Sequence, residues 1–227
     1  MEIREIKGRL YNLSDKKYAE FSAKLIPGHT KEYFIGVPTP KIKAYTKEIL
    51  RAEKHKKFLT TLPHDTFEEN LLHAFIIANE KLPIDTIIEQ TEAFLPHINN
   101  WAVCDQFSVK LFGKHHETIY PYLKKWMESK HTYTRRFAIV NSMRFFLDEK
   151  FEPHMPNDVA AATTDDYYIR MAVAWYFATA LAKQWEAAVP FIEQRQLSEE
   201  VHRMTIRKAL DSFRISEEHK AYIKGMR

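Results

Sequence analysis

Glycine is scarce in this sequence: there are five glycines in 227 residues, whereas average usage is about 7%. Sheet proteins with many tight turns depend on glycine, and so do the glycine-rich loops that bind phosphate groups. The shortage therefore argues against both. The composition favours a helical protein instead.

Cysteine and long apolar runs are also lacking. Cys104 is the single cysteine, which excludes an internal disulfide and fits a reducing compartment. No basic side chain adjoins it to lower its pKa, so a small buried apolar residue is a better interpretation than a nucleophile. The N-terminus is charged at once, which argues against a signal peptide, and no window approaches the roughly 18 apolar residues of a membrane span. We expect a cytoplasmic protein without membrane contact.

Positive charge is present in modest excess but is unevenly placed. The formal charge is +4 and the isoelectric point is about 8.9, which indicates an anionic partner only weakly. Nine of the twelve arginines follow residue 130, whereas lysine dominates before it. Arginine makes forked contacts with phosphate that lysine cannot make, so the second half of the chain is the more suited to a phosphate-bearing partner.

The first forty residues predict short helices and then a connector. In residues 1–33 one or two helices are indicated by apolar side chains at helical spacing, namely Tyr11, Tyr18, Phe21 and Leu25. Pro27-Gly28-His29 interrupts that pattern. Residues 34–40 form a rigid connector, in which Thr39 is a candidate N-cap and Pro40 occupies the first helical turn.

The helix after the connector carries two different faces. Its predicted inner stripe is apolar and consists of Ile42, Tyr45, Ile49 and Leu50. A second stripe is basic and consists of Lys43, Lys47 and Arg51. Such a stripe is either a solvated helix face or a set of phosphate contacts, and Lys43 and Lys47 are retained as candidate DNA-binding residues.

From residue 65 onward the helical pattern repeats. Helices are predicted to open near Phe67, Trp101, Tyr133, Tyr168 and Val201, at spacings of 34, 32, 35 and 33 residues. Less regular second helices fall between them, at residues 83–92, 115–129, 157–162 and 185–193. Candidate caps precede three of the openings, namely Thr66, Asp165 and Ser198. Two helices every 32–35 residues indicate an all-α protein, an α-solenoid.

The register of this repeat predicts a row of arginines. Arg135, Arg170 and Arg203 each stand two residues after the opening position of their repeat. Equivalent positions of a curved stack line up along one surface, and evenly spaced guanidinium groups suit a regular polyanion. A solvated outer face is the alternative, but we favour the inner, concave surface.

Trp101 and Asp105 are the most suggestive pair in the chain. They are four residues apart, so on a helix an aromatic ring and a carboxylate share one face. This combination suits a positively charged ligand. The simpler alternatives are a tryptophan in the core and an aspartate that makes a local hydrogen bond. Trp126 and Trp185 fit packing roles.

Four segments together resemble a known family. They are FIGVPTP (34–40), NNWAVCD (99–105), YTRRFAIV (133–140) and YIRMAVAW (168–175). In this order and at these separations they resemble the AlkD-type DNA alkylation-repair proteins, and the resemblance covers residues 34–215. It implies one domain over residues 1–227, with N-terminal helices at 1–33 and about six HEAT-like two-helix repeats at 34–227.

The resemblance also implies a site and an activity. The positions that match the family's catalytic cleft are Asp105, Trp101 and Trp175, with Arg136 close by on the surface that faces DNA. It implies a DNA glycosylase that removes N3- or N7-alkylated purines from double-stranded DNA without a metal or nucleotide cofactor. We expect the protein to be a monomer. The eleven histidines show no H-E-x-x-H or C-x-x-C spacing, so no metal site is predicted from the residues either.

Two other functions stay open at this stage. The segment before residue 34 does not match the helices with which active members brace the DNA, although Tyr11, Tyr18 and Phe21 are candidates by residue type. A DNA-binding protein of the same superfamily that does not excise bases is therefore one alternative. A protein-interaction scaffold, the commonest use of helical repeats, is the other.

Overall fold

The computed structural model describes residues 3–226, and within that range it contains fourteen α-helices, three 3-10 helices and no strand. The predicted all-α class is confirmed. None of the helices in this range is long and apolar enough to cross a membrane.

By its internal contacts the chain divides into two compact units, which we describe separately. The N-terminal unit is Met1–Leu111, and it contains α1 (Ile3–Asn12), α2 (Lys16–Leu25), α3 (Thr39–Arg51), α4 (Lys56–Leu59), α5 (Phe67–Asn79), α6 (Ile84–Phe94) and α7 (Trp101–Gln106). The C-terminal unit is Phe112–Arg227, and it contains α8 (His116–Met127), α9 (Thr132–Phe145), α10 (Met155–Ala161), α11 (Tyr167–Lys183), α12 (Trp185–Glu193), α13 (Glu199–Leu210) and α14 (Glu217–Lys224). The 3-10 helices are Lys31–Tyr33, Leu95–His97 and Lys110–Lys114.

The predicted alternation of helices is confirmed. The five helices expected to open the repeats are α5, α7, α9, α11 and α13, and each begins within two residues of its predicted position. The four expected second helices are α6, α8, α10 and α12. In the C-terminal unit, α11 packs against both α9 and α13, while α8 packs against α9 and α10. This layering is the helical-repeat pattern of an α-solenoid.

The core of the N-terminal unit is built around α5. Residues 67–77 of this helix are all buried, and α5 packs against α1, α3, α6 and α7. These buried residues include polar ones, namely Glu68, Glu69, Asn70 and His73, as well as apolar ones, so α5 has no solvated face along this stretch. This central helix fixes where the shorter α7 lies within the unit.

Of the three caps predicted within the repeats, two are confirmed and one needs a correction. The Thr66 hydroxyl accepts a hydrogen bond from the amide of Glu69 at 3.3 Å and starts α5 as expected. Ser198 occupies the N-cap position of α13, without a side-chain bond. The cap of α11 is Asp166 rather than Asp165, because the Asp166 carboxylate accepts from the amide of Tyr168 at 2.7 Å.

The connector before α3 is held by a buried carboxylate. Glu68 accepts hydrogen bonds from the backbone amides of Ile35, Gly36 and Val37 at 2.9, 2.6 and 3.2 Å. Burial, which outweighs these bonds, raises the pKa of Glu68. Gly36 has a φ of +91°, and a Cβ at this position would lie 2.2 Å from the carbonyl oxygen of Asp15. This conformation of the connector therefore requires glycine at position 36.

At the start of α3 the predicted cap is wrong. Thr39 is the first helical residue and Pro38 holds the N-cap position without a side-chain bond, because Pro40 fits the first turn equally well one position later. The predicted inner stripe is buried at Ile42, Tyr45 and Ile49, while Leu50 is half-buried.

The two N-terminal helices differ from the pattern that identified them. The predicted helices are present as α1 and α2, but Tyr11, Phe21 and Leu25 are about half exposed. The buried side chains of these helices are instead Ile6, Leu10 and Ser22. The aromatic spacing therefore located the helices correctly but indicated their outer face.

Candidate functional site

The start of α7 is fixed by a network of three polar side chains. Asn100 is the N-cap of α7, and its Oδ1 accepts from the amide of Val103 at 2.9 Å. Its Nδ2 donates to the hydroxyl oxygen of Tyr33 at 3.2 Å. The Tyr33 hydroxyl in turn donates to Oδ1 of Asn99 at 2.6 Å. A residue of the 3-10 helix thus reaches the first turn of α7 and holds it in place.

Trp101 and Asp105 lie one helical turn apart on the side of α7 that is not fully buried. Both side chains are half-buried, whereas Ala102, Val103 and Cys104 between them are buried. The predicted interpretation of Cys104 as a small core residue is confirmed, since it is fully buried. The indole and the carboxylate therefore lie on a common face of α7 that solvent reaches.

Tyr33 is a participant that the sequence analysis missed. Burial raises the pKa of the Tyr33 hydroxyl to about 12, so the hydroxyl stays protonated and can keep donating to Asn99. No local pattern marks a tyrosine for this role. The Asn99-Asn100 pair, however, directly precedes a helix, and asparagine there is a recognisable N-cap signal.

In the C-terminal unit, Arg136 joins two helix starts. Its Nη1 donates to the carbonyl oxygen of Tyr168 at 2.6 Å, which links the first turns of α9 and α11. The side chain is buried, with 6% of the residue exposed. The rings of Tyr133 and Tyr168 lie beside this link, with centroids 5.6 Å apart. Arg170 links α11 to Glu200 of α13 at 2.8 Å, so the first turns of α9, α11 and α13 lie side by side.

The three arginines of the predicted row have three different environments. Arg135 donates to the carbonyl oxygens of Ser129, Ala162 and Glu128 at 2.9, 3.2 and 3.3 Å. Because these carbonyls end α8 and α10, Arg135 closes the C-terminal ends of two helices. Its guanidinium is therefore engaged within the protein.

Arg170 and Arg203 complete the contrast. Arg170 borders a pocket of about 350 Å³ that is also lined by Asp165, Glu199 and Glu200, and these carboxylates disfavour an anion there. Arg203 is exposed, and its nearest partner is Glu199 at 3.8 Å. Of the three arginines, Arg203 is the one whose charge faces solvent.

A lysine that the sequence analysis overlooked adds to the charge near Arg136. Lys208 of α13 is half-buried, and its pKa is lowered chiefly by burial and further by the nearby charges of Arg136 and Arg207. Lys208 forms no salt bridge within the described residues. The carboxylate of Asp211 acts in the opposite direction, and a bound anion would further reduce the repulsion between Lys208 and the two guanidinium groups.

Trp175 stands on α11 with its indole partly in solvent. It is 37% exposed, and the next turn of the helix is held by Thr179, whose hydroxyl donates to the Trp175 carbonyl oxygen at 2.9 Å. A large aromatic side chain at this exposure is available to a ligand. By contrast Trp126 is buried, as its predicted packing role requires, and Trp185 stacks on His219 with ring centroids 3.5 Å apart.

The predicted lysine stripe lies on the N-terminal unit. Lys43 and Lys47 are exposed along α3, and Nζ of Lys43 lies 5.4 Å from the ring centroid of Phe75. Solvent therefore reaches both ammonium groups, and the two lysines stay candidates for contact with phosphate. In residues 3–226 no group of three or more histidine, cysteine, aspartate or glutamate side chains is arranged to hold a metal ion.

Comparison with protein families gives a match over most of the chain. Residues 6–213 match the sequence profile of a family described as DNA alkylation repair enzyme, which is most of the chain. No curated protein matches the sequence. The matched range includes α7 with Trp101 and Asp105, as well as the charged starts of α9, α11 and α13.

Proposed function

Because the chain belongs to the DNA alkylation repair enzyme family, and so has a role in DNA repair and an interaction with DNA, we propose that it is an alkylpurine DNA glycosylase. The substrate would be duplex DNA that contains a purine alkylated at N3 or N7, and the reaction would be hydrolysis of its N-glycosidic bond. The observation that carries this proposal is the pairing of Trp101 with Asp105 on the accessible face of a helix with a fixed start.

The chemistry requires one carboxylate. A purine alkylated at N3 or N7 carries a positive charge and leaves as a neutral base, so no general acid has to protonate it; hydrolysis of a neutral glycoside, in contrast, uses a pair of carboxyl groups. As the bond from C1′ to the base nitrogen breaks, positive charge develops on the sugar. Asp105 stabilises that charge and orients the water that attacks C1′, and the proton released by the water passes to solvent.

Each of the two indoles, taken within its own unit, can attract a cation. Trp101 neighbours the carboxylate on α7, and Trp175 exposes part of its ring on α11. A cation over the face of a tryptophan gains about 1 kcal/mol, and more when water is excluded. This term favours an alkylated, positively charged purine over the neutral purines of ordinary DNA.

Phosphate binding is assigned to positive charge on both units. Lys208 and Arg136 are close enough for their charges to oppose each other, and a phosphate would relieve that repulsion. Exposed Arg203, Lys43 and Lys47 would add weaker, solvent-screened contacts. Arg135 and Arg170, which are engaged with carbonyls and with Glu200, contribute mainly to the fold.

The test is release of N7-methylguanine and N3-methyladenine from methylated duplex DNA. Wild type is expected to release both, whereas Asp105→Asn is expected to lose at least about a hundredfold in rate, because it removes the charge that stabilises the transition state. Asp85→Asn, at an exposed position in the first turn of α6, is the matched control and should act like wild type. Full release by Asp105→Asn contradicts the proposal.

Two other outcomes of the same assay support the alternatives. Salt-sensitive binding of duplex DNA without any release by wild type indicates a DNA-binding protein that does not excise bases. Negligible DNA binding indicates a protein-interaction scaffold. The cytoplasmic location and the monomeric state expected from the sequence stay predictions.

A further inference from the structure

The short length of α7 makes its direction dependent on its first turn. The helix has six residues, Trp101–Gln106, so it is too short to be stable on intrahelical hydrogen bonds alone. Its N-cap residue therefore has an unusually large share in deciding how the helix lies. Trp101 is the first residue after that cap, and Asp105 follows one turn later.

The N-cap is itself held by a residue that is distant in sequence. Asn100 is 1% exposed and uses its oxygen to cap α7 and its amide nitrogen to reach Tyr33 at 3.2 Å. Asn99 accepts from both Tyr33, at 2.6 Å, and Asn100, at 3.0 Å. The single hydroxyl of Tyr33 thus joins both residues that precede α7.

The ring of Tyr33 is also fixed. His29 stacks on it with centroids 4.2 Å apart and planes 14° apart, and Phe34 meets it edge-on at 5.2 Å. The proline-glycine interruption after α2 thus helps to hold the ring of Tyr33, because it brings His29 against that ring. Gly28 has a φ of +90°, and the turn it permits is followed directly by His29 and then by the 3-10 helix Lys31–Tyr33 that ends on the tyrosine.

We propose that Tyr33 is a positioning residue for Asp105. It does not touch the reacting atoms; its hydroxyl sets the cap of α7, and the cap sets the direction of the indole and the carboxylate. This inference rests on the proposed glycosylase function. It also gives the segment before the connector a role within the N-terminal unit.

The first arm of the test is kinetic. Tyr33→Phe removes only the hydroxyl and keeps the ring that His29 and Phe34 contact. We expect the single-turnover excision rate at saturating protein to fall about tenfold, because a small misplacement of a catalytic group is costly, while the half-saturating protein concentration is unchanged. The control is Tyr176→Phe, since Tyr176 is also buried and its hydroxyl has no hydrogen-bond partner within the described residues.

The second arm needs no DNA and reports on placement directly. In an NMR spectrum the four tryptophan indole N–H signals are assigned by single replacements with phenylalanine. Tyr33→Phe is expected to shift the Trp101 signal and to leave those of Trp126, Trp175 and Trp185 in place. A stability curve for each variant shows that the compared proteins are folded.

The two arms separate the possible failures. If wild type excises and Tyr33→Phe excises at the same rate, the positioning role is overturned while the glycosylase proposal stands. An unchanged Trp101 signal overturns the positioning role as well. If wild type excises nothing, the glycosylase proposal fails, and a shift of the Trp101 signal would still show that Tyr33 orients α7.

Discussion

The start of α7 and the starts of α9, α11 and α13 organise their polar side chains in opposite ways. At α7, neutral side chains with complementary donors and acceptors, Tyr33, Asn99 and Asn100, hold one another. At the starts of α9, α11 and α13, arginines extend from one helix to the backbone or the carboxylates of the next. The first arrangement orients an acid, whereas the second concentrates positive charge.

This comparison shows that an equivalent position does not give an equivalent role. Arg135, Arg170 and Arg203 share one register in the repeat, yet they cap helices, pair with an acid and face solvent, respectively. Neighbouring groups decide the outcome. In the N-terminal unit the same principle makes a tyrosine with no repeat equivalent the residue that holds the start of α7.

The largest expected effect concerns the hydrogen bonds by which Glu68 holds the connector before α3. Glu68→Ala removes the acceptor of three buried backbone amides, and leaving them unpaired should lower the free energy of unfolding by about 4 kcal/mol. Urea denaturation of the variant measures the loss. Glu89→Ala on the exposed side of α6 is the control, and a loss below about 1 kcal/mol for Glu68→Ala would show that the connector does not depend on this carboxylate.

Acid should affect the N-terminal unit through its histidines. Burial, aided by the charge of Lys7, lowers the pKa of His64 from 6.5 to about 4, and its Nε2 lies 2.7 Å from Nδ1 of His73. As the pH falls below 6.5 the unfolded chain binds a proton first, so stability is lost until the pH reaches about 4. This single group accounts for about 3 kcal/mol.

Replacement of this histidine isolates its share of the acid sensitivity. His64→Gln keeps a hydrogen-bonding side chain but does not titrate, so its free energy of unfolding should fall less than that of wild type between pH 7 and pH 4. Urea denaturation at both pH values gives the difference. Identical losses for the two proteins would mean that His64 is protonated as easily in the folded state as in the unfolded one.

The next effect separates the arginines of the row. Arg135→Ala leaves three carbonyls at helix ends without their donor and should lower the free energy of unfolding by about 2 kcal/mol, with DNA affinity changed by less than about twofold. Arg203→Ala, at the equivalent but exposed position, should leave stability within about 0.5 kcal/mol of wild type. Thermal denaturation compares the two variants. Equal losses of stability would mean that the contacts of Arg135 with the helix ends stabilise the protein no more than the exposed side chain of Arg203 does.

The smallest effect tests the charge beside Arg136. Lys208→Gln should weaken the binding of undamaged duplex DNA about fivefold and reduce the salt dependence by about one phosphate contact. Lys150→Gln, exposed in the turn after α9, is the control. Binding titrations at several salt concentrations measure both quantities, and equal weakening in the two variants would mean that only net charge matters.

Local signals in the sequence were enough to predict most of the helices, but not α4 or α14. Thr66 caps α5 as predicted, and Asn100, Asp166 and Ser198 stand immediately before their helices. Where two neighbouring residues can both cap a helix, as with Asp165 and Asp166, local pattern does not choose between them. The choice depends on which carboxylate reaches two amides.

The contacts that shape the candidate site are not local. Tyr33 forms hydrogen bonds with Asn99 and Asn100, which are 66 and 67 residues away in the sequence. The charge of Arg136 lowers the pKa of Lys208, which lies on a helix two repeats away. No spacing rule encodes such pairs. The sequence therefore predicted Trp101, Asp105, Arg136 and Trp175 as candidates, but neither the network that holds α7 nor the engagement of Arg135.

The most direct test of the account is the single-turnover rate of base release from a duplex with one N7-methylguanine, measured against protein concentration for wild type and Asp105→Asn. We predict that the substitution lowers the plateau rate at least about a hundredfold and leaves the half-saturating concentration unchanged, because the carboxylate acts on the transition state rather than on DNA binding. A plateau equal to that of wild type would contradict the assignment of Asp105 as the catalytic group.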